Sequence, residues 1–251
     1  MGLKYKFEHD LDSAERTIKH RDIILEKPFL KKLYLEWYQV FMKEIPHLPE
    51  GEMVELGSGG GFLKQVNPDI LSSDILPLPF TDLTFSALEM PFSDNTLSAI
   101  FMIDTLHHIP MINKFFQECR RTLKPGGAIV MIEPANSAWG RFIYQNFHHE
   151  PFVPASDWNI PDEGPLSGAN GALPWIIFER DRDKFEALYP ELKIRQIKYH
   201  TPFRYLLSGG VSYKSLAPGF MFALFTALDR LSSNILPQLS MFTTIKLLKQ
   251  G

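Results

Sequence analysis

A short apolar run, Glu52 to Leu56, empties directly into Gly57-Ser58-Gly59-Gly60-Gly61, and Phe62 then opens a short helical stretch to Val66. A buried strand that ends in such a loop and re-enters a helix is the first half of a parallel-sheet crossover, which narrows the chain to α/β folds. Glycines at 57, 59 and 61 permit positive φ and carry no Cβ, so a ligand can approach the backbone N–H groups closely. The helix start adds a partial positive charge suited to a carboxylate or phosphate.

The rest of the chain repeats the pattern. Strands are expected at Ile70 to Ile75, Leu83 to Leu88, Leu97 to Ile103, Ala128 to Glu133, Leu192 to Thr201 and Met241 to Lys249. The run LSAIFMI is apolar throughout, as a strand covered on both faces should be. Ile112 to Leu123 is amphipathic and stops at Lys124-Pro125-Gly126-Gly127. Upstream, Leu30, Leu33, Tyr34, Trp37, Val40 and Phe41 follow helical spacing, so residues 22–45 are expected to form one N-terminal helix. Residues 50–135 read as the ligand-binding core and 136–178 as a lid rich in Pro, Gly, Trp and His. Residues 202–240 read as an apolar helical insertion, and 241–250 as the last strand of a single domain spanning 1–251. Prolines 77 and 79 disfavour a helix between Asp74 and Ser86, so that crossover is expected to be an irregular loop.

Two ligand classes compete for the glycine loop. A dinucleotide loop needs G-x-G-x-x-G, and in that register Phe62 stands where the third glycine belongs. The other pattern is an acidic residue two positions before G-x-G-x-G, met here by Glu55, Gly57, Gly59 and Gly61. With it go Asp74 at the end of the second strand, the segment Ser86-Ala87-Leu88-Glu89-Met90-Pro91-Phe92-Ser93-Asp94, Leu106-His107-His108 after the fourth strand, and Arg121-Thr122-Leu123-Lys124-Pro125-Gly126-Gly127 before the fifth. In this ordered set the chain resembles the class I S-adenosylmethionine-dependent methyltransferases, and within them the type-11, ubiquinone-biosynthesis-methyltransferase-like group of bacteria.

The resemblance implies a Rossmann-like, doubly wound, mostly parallel seven-stranded sheet with an antiparallel last strand, an N-terminal helix and two cap insertions. It implies S-adenosylmethionine as cofactor and S-adenosylhomocysteine as product. It places Glu55, Leu56, Gly57, Ser58, Gly59 and Gly61 at the methionine end and Asp74 on the ribose hydroxyls. Ile75, Ser86, Ala87 and Leu88 come at the adenine, and Asp104 joins the cofactor set. Ser86 departs from the acidic residue usual at its position. A non-catalytic binder of the same cofactor and, less favoured by the register, a nicotinamide oxidoreductase are the alternatives.

Acceptor chemistry is less defined. His107 and His108 fall at a strand C-terminal end, where open α/β sheets bind ligands. His108 and, in the lid, His149 are the candidate general bases; the alternative is that they cap turns or hold a loop. Glu133 either touches substrate or is a solvated strand end. Adjacent His148 and His149 project differently and no H-E-x-x-H occurs, so no metal is expected. Cys119 is the only cysteine and sits on an apolar helix face, which excludes an internal disulfide and fits a reducing cytosol. A net charge of −3 without a basic block gives nucleic acid no electrostatic purchase. The charged N-terminus lacks a secretory apolar core, and no apolar run approaches the roughly 18 residues of a membrane span. Phe203, Tyr205, Leu206, Leu207, Phe220, Met221, Phe222, Leu224 and Phe225 make residues 202–240 either a helical cap with its own core, a lipid or polyprenyl acceptor pocket with peripheral membrane contact, or a homodimer surface. The acceptor is expected to be a small molecule or lipid-linked.

Overall fold

The computed structural model describes residues 4–161 and 163–251; residues 1–3, where the charged N-terminal segment begins, and Asp162 of the lid lie outside it. The expected N-terminal helix is two helices, α1 (Ala14–Glu26) and α2 (Pro28–Glu44). The correction has a local cause. A residue before proline is pushed out of the helical region, and Lys27 is extended at φ −94°, ψ 102°. Pro28 then serves as the first residue of α2, where its missing N–H is harmless. Ser13 caps α1, its hydroxyl accepting the Arg16 N–H at 3.2 Å. Phe29, Leu30, Leu33, Trp37, Tyr38 and Phe41 of α2 are buried, each burial stabilising by about 1.5–3 kcal/mol.

The sheet has seven strands: β1 (Glu52–Glu55), β2 (Ile70–Asp74), β3 (Leu83–Thr84), β4 (Leu97–Ile103), β5 (Leu123–Pro134), β6 (Leu192–His200) and β7 (Phe242–Lys249). Their order is β3-β2-β1-β4-β5-β7-β6, and β7 alone runs antiparallel, as expected. Between the strands lie α3 (Leu63–Val66) and α4 (Ile112–Thr122). Central β4 is buried along nearly its whole length, because layers cover both faces. β5 starts at Leu123 rather than Ala128, and a register shift between Leu97 and Ala99 absorbs the Lys124–Gly127 turn.

The β2–β3 crossover is the irregular loop that its prolines dictate. Asp82 secures its end: the carboxylate accepts both the N–H and the hydroxyl of Ser72 at 2.8 Å. β3 is shorter than the expected Leu83 to Leu88. Phe85 N–H still reaches the Asp74 carbonyl, and then Ser86 turns the chain by accepting the Glu89 N–H at 2.9 Å.

The remaining segments cover the C-terminal ends of the strands. α5 (Ala138–Phe147) begins the lid, which returns through α6 (Leu173–Trp175) and a π-helical turn, Ile176–Arg180, to α7 (Arg182–Leu188). α8 (Arg204–Ser208) and α9 (Phe222–Ile235) lie between β6 and β7. Their junction is ionic: Arg204, 3% exposed, holds Asp229 of α9 at 2.7 Å and Glu36 of α2 at 2.7 Å. Among the described residues no helix is long and apolar enough to cross a membrane.

Candidate active site

The glycine loop is shaped by its neighbours. Gly57 lies at φ +60°, and a Cβ there would come within 2.5 Å of Thr105 Cγ2. Gly59 is also left-handed, at φ +49°. Its N–H donates to Asp74 Oδ2 at 2.8 Å, while Leu76 N–H donates to Oδ1 at 2.9 Å. Each oxygen of Asp74 keeps a second lone pair, so the carboxylate can still accept two hydroxyl donors. Behind the loop, Glu55 is buried and accepts the Ser58 hydroxyl at 2.7 Å. Tyr38 of α2 accepts the Phe62 N–H at 2.8 Å, and the Arg21 guanidinium of α1 donates to the Gly61 carbonyl. The N-terminal helices therefore clamp the loop from outside, a role for which the sequence carries no motif.

A cavity of about 420 Å³ opens from this loop. Leu56, Gly57, Gly59, Asp74, Ile75, Ser86, Ala87, Leu88, Asp104, His108 and His149 all line it; Glu55, Ser58 and Gly61 stand behind the wall. Ile75 is 54% exposed and stands at the rim beside Asp74. The Ser86 hydroxyl is turned to its own backbone, accepting the Leu88 N–H at 3.2 Å. Among the described residues no lysine or arginine lines the cavity, yet Asp74, Asp104 and Glu150 do. Burial pushes the Glu55 and Asp104 carboxyls up to about 8 and raises that of Asp74.

The cavity lining also holds imidazoles. The parallel register of β4 and β5 sets Ile103 beside Ile132, so the residues that follow meet across the strand ends. Glu133 is fully buried and accepts N–H groups from Thr105 at 3.0 Å, Leu106 at 2.7 Å and His107 Nδ1 at 2.7 Å. It is therefore neither a substrate contact nor a solvated strand end, but the anchor of the turn carrying His107 and His108. His108 Nδ1 donates to the Gly168 carbonyl at 3.1 Å.

From the lid, Glu150 brings a carboxylate 3.4 Å from His107 Nε2 and 3.8 Å from His108 Nε2, with His148 and His149 each at 3.6 Å. Burial opposes ionisation of Glu150, but the surrounding imidazoles outweigh it and hold the carboxyl below its ordinary range. Burial alone would depress His107; Glu133 and Glu150 raise it instead. His108 is lowered to about 4, by burial and then by the charge of His107. The sequence contains His148-His149-Glu150 and Leu106-His107-His108 as separate motifs; only the fold joins them.

Residues 55–131 match the family model described as a methyltransferase domain. No curated protein matches the chain. Among solved structures, it is similar to a methyltransferase of Thermotoga maritima, described as S-adenosylmethionine-dependent and a possible histamine N-methyltransferase. That likeness has 17% identity and a TM-score of 0.55, over 94% of this chain and 99% of the other. It is also similar to the geranyl diphosphate C-methyltransferase of Streptomyces coelicolor A3(2), at 13% identity and a TM-score of 0.51, over 98% and 85%. These structures share the fold, and the family match covers the glycine loop through β5. The resemblance drawn from the sequence is met in two respects: residues 55–131 match a methyltransferase domain, and the chain shares the Rossmann-like fold of solved S-adenosylmethionine-dependent methyltransferases.

Proposed function

We propose that the chain transfers the methyl group of S-adenosylmethionine to a small or lipid-linked acceptor held between the cofactor and the imidazole cluster. One observation carries this reading: the cavity that opens from the glycine loop is lined by Asp74, Asp104 and Glu150 and, among the described residues, by no lysine or arginine. Such a wall favours a ligand bearing a sulfonium and an ammonium group and repels a pyrophosphate. In this reading Asp74 accepts the ribose hydroxyls, while Ile75, Ala87 and Leu88 flank the adenine with Ser86. The Gly57 to Gly61 backbone packs on the methionine portion, supported from behind by Glu55 and Ser58, and Asp104 faces the positive centre.

The sulfonium methyl is already activated, so the protein's task is in-line positioning and exclusion of water. An acceptor that must lose a proton meets the lone pairs of His108 and His149. A purely cofactor-binding protein would need no acceptor site, and here His108 and His149 line the same cavity as Asp74 and Asp104. A lipid-linked acceptor is supported by the outer face of the 202–240 insertion. Phe220, Leu224, Leu228, Leu231 and Ile235 are all exposed and follow helical spacing.

Titration calorimetry against S-adenosylmethionine, S-adenosylhomocysteine and NAD tests the proposal. Both sulfur ligands should bind and NAD should not. Asp74→Asn should weaken the sulfur ligands by about 1.5–3 kcal/mol, the scale of a lost hydrogen bond to a charged group. Failure of both sulfur ligands to bind, or equal binding of NAD, would overturn it.

A further inference from the structure

We propose that His107, His108 and Glu150 form a binding site for one divalent ion of the zinc class, with an open coordination position facing the acceptor end of the cavity. The inference deepens the methyltransferase reading and rests on it only for what the ion would do, not for whether it binds. The geometry of the donor atoms argues for it. His107 Nδ1–H is tied to Glu133 at 2.7 Å and His108 Nδ1–H to the Gly168 carbonyl at 3.1 Å. Each ring is thereby oriented with its Nε2 toward the same carboxylate, and a bound ion would replace the proton that His107 otherwise carries there. A carboxylate or carbonyl behind the ligating imidazole is the arrangement that orients metal-bound histidines in general.

Spacing supports an ion rather than a direct contact. Histidine nitrogen and carboxylate oxygen bind zinc at about 2.0–2.2 Å, and two ligands of a tetrahedral ion then stand roughly 3.4 Å apart. The Glu150 oxygens lie 3.4 and 3.8 Å from the two Nε2 atoms, and all three donors lie within 4.8 Å of one another. A charge-assisted N–H···O bond closes to about 2.7–2.9 Å. His107 achieves that toward Glu133 and not toward Glu150. The cofactor reading does not account for the convergence of imidazoles on Glu150. Two imidazoles and one carboxylate favour zinc-like ions over magnesium, which prefers oxygen ligands. All three residues line the cavity, so the remaining position would hold the acceptor through an oxygen atom; with the ion bound His108 would have no lone pair left, and His149 would be the remaining candidate base.

The test uses the full chain, stripped with a chelator and titrated with Zn2+ and with Co2+ as a spectroscopic probe. One equivalent should bind, Co2+ should give the intense visible absorption of a four-coordinate site, and Mg2+ should not compete. Glu150→Gln and His108→Ala, both near the cavity rather than in the core, should each weaken uptake at least about tenfold while unfolding at a similar temperature. Glu133→Gln should weaken it by about 10- to 100-fold, as expected for the group behind a ligand. Substoichiometric uptake, or uptake unaltered in the first two variants, would overturn the site. Calorimetry with S-adenosylmethionine on the same preparations separates the readings. Cofactor binding without metal uptake rejects the ion alone, and metal uptake without cofactor binding rejects the methyltransferase reading alone.

Discussion

The two ends of the cavity solve opposite electrostatic problems. At the proposed cofactor end, Glu55, Asp74 and Asp104 are held above the ordinary carboxylate range by burial, and among the described residues no lysine or arginine lines the cavity beside them. That end is short of positive charge until a cation arrives. At the acceptor end, Glu133 and Glu150 are already partnered by imidazoles, and Glu150 is held below its ordinary range. In the proposed reading the first end receives a charged ligand. The second is balanced within itself and is sensitive to which cation, proton or metal ion, sits among its donors.

The two ends also differ in how their scaffolds are held, and variants can break that contrast. The largest effect is expected at Arg204, which fixes the insertion over the acceptor end. Arg204→Met would leave Asp229, 1% exposed, without its partner. Breaking a buried pair in this way costs about 3–5 kcal/mol. Denaturant unfolding should report that loss, while cofactor affinity measured under folding conditions should change little. An equal loss of cofactor affinity would mean that the two ends are not separable.

A smaller effect concerns pH. Glu55 has a folded-state value of about 8 against an ordinary value of 4.5. Between those values the folded chain keeps a proton that the unfolded chain has released. The ligand-free protein should therefore lose stability as pH rises through this window, by about 1.4 kcal/mol per pH unit for one such group. Glu55→Gln keeps a neutral side chain of the same size and should remove about one proton's worth of that slope. A slope identical to the parent's would place the strain elsewhere, with Asp104 the next group to replace. The smallest effect on the fold belongs to the surface. Leu224 and Leu231 are 56% and 58% exposed, so replacing both by Asp should move stability by no more than about 0.5 kcal/mol for each. The same change should abolish co-sedimentation with lipid vesicles. Undiminished vesicle binding, or none in the parent, removes the support for a lipid-linked acceptor.

The contrast also explains what could be read from sequence. The cofactor end lies within one stretch, and its residue types answer backbone demands: positive φ at Gly57 and Gly59, a carboxylate at the end of β2, prolines in the β2–β3 loop. Such demands leave marks at fixed spacing. The irregular crossover was legible for the same reason, whereas the antiparallel β7 followed only from the family resemblance. The break at Lys27 was legible in principle, since Pro28 states it, but the apolar period of α2 masks a kink one residue upstream. The acceptor end left no comparable mark. Glu133 and His107 are 26 residues apart, and the lid joins them through Glu150, whose place depends on tertiary packing. Expected as substrate contact or solvated strand end, Glu133 proved to be the most enclosed member of its cluster.

The N-terminal segment has a consequence for the order in which the molecule is made. Tyr5 N–H pairs with the Ser212 carbonyl, Asp12 accepts the N–H groups of Leu166 and Ser167, and the Lys27 ammonium donates to the carbonyls of Gly210 and Tyr213. None of these partners exists when residues 5–27 leave the ribosome. The opening segment must wait, unlatched, until synthesis has passed residue 213, and only then can the roof of the cavity close. A segment translated well before its partners is among the last to find its place.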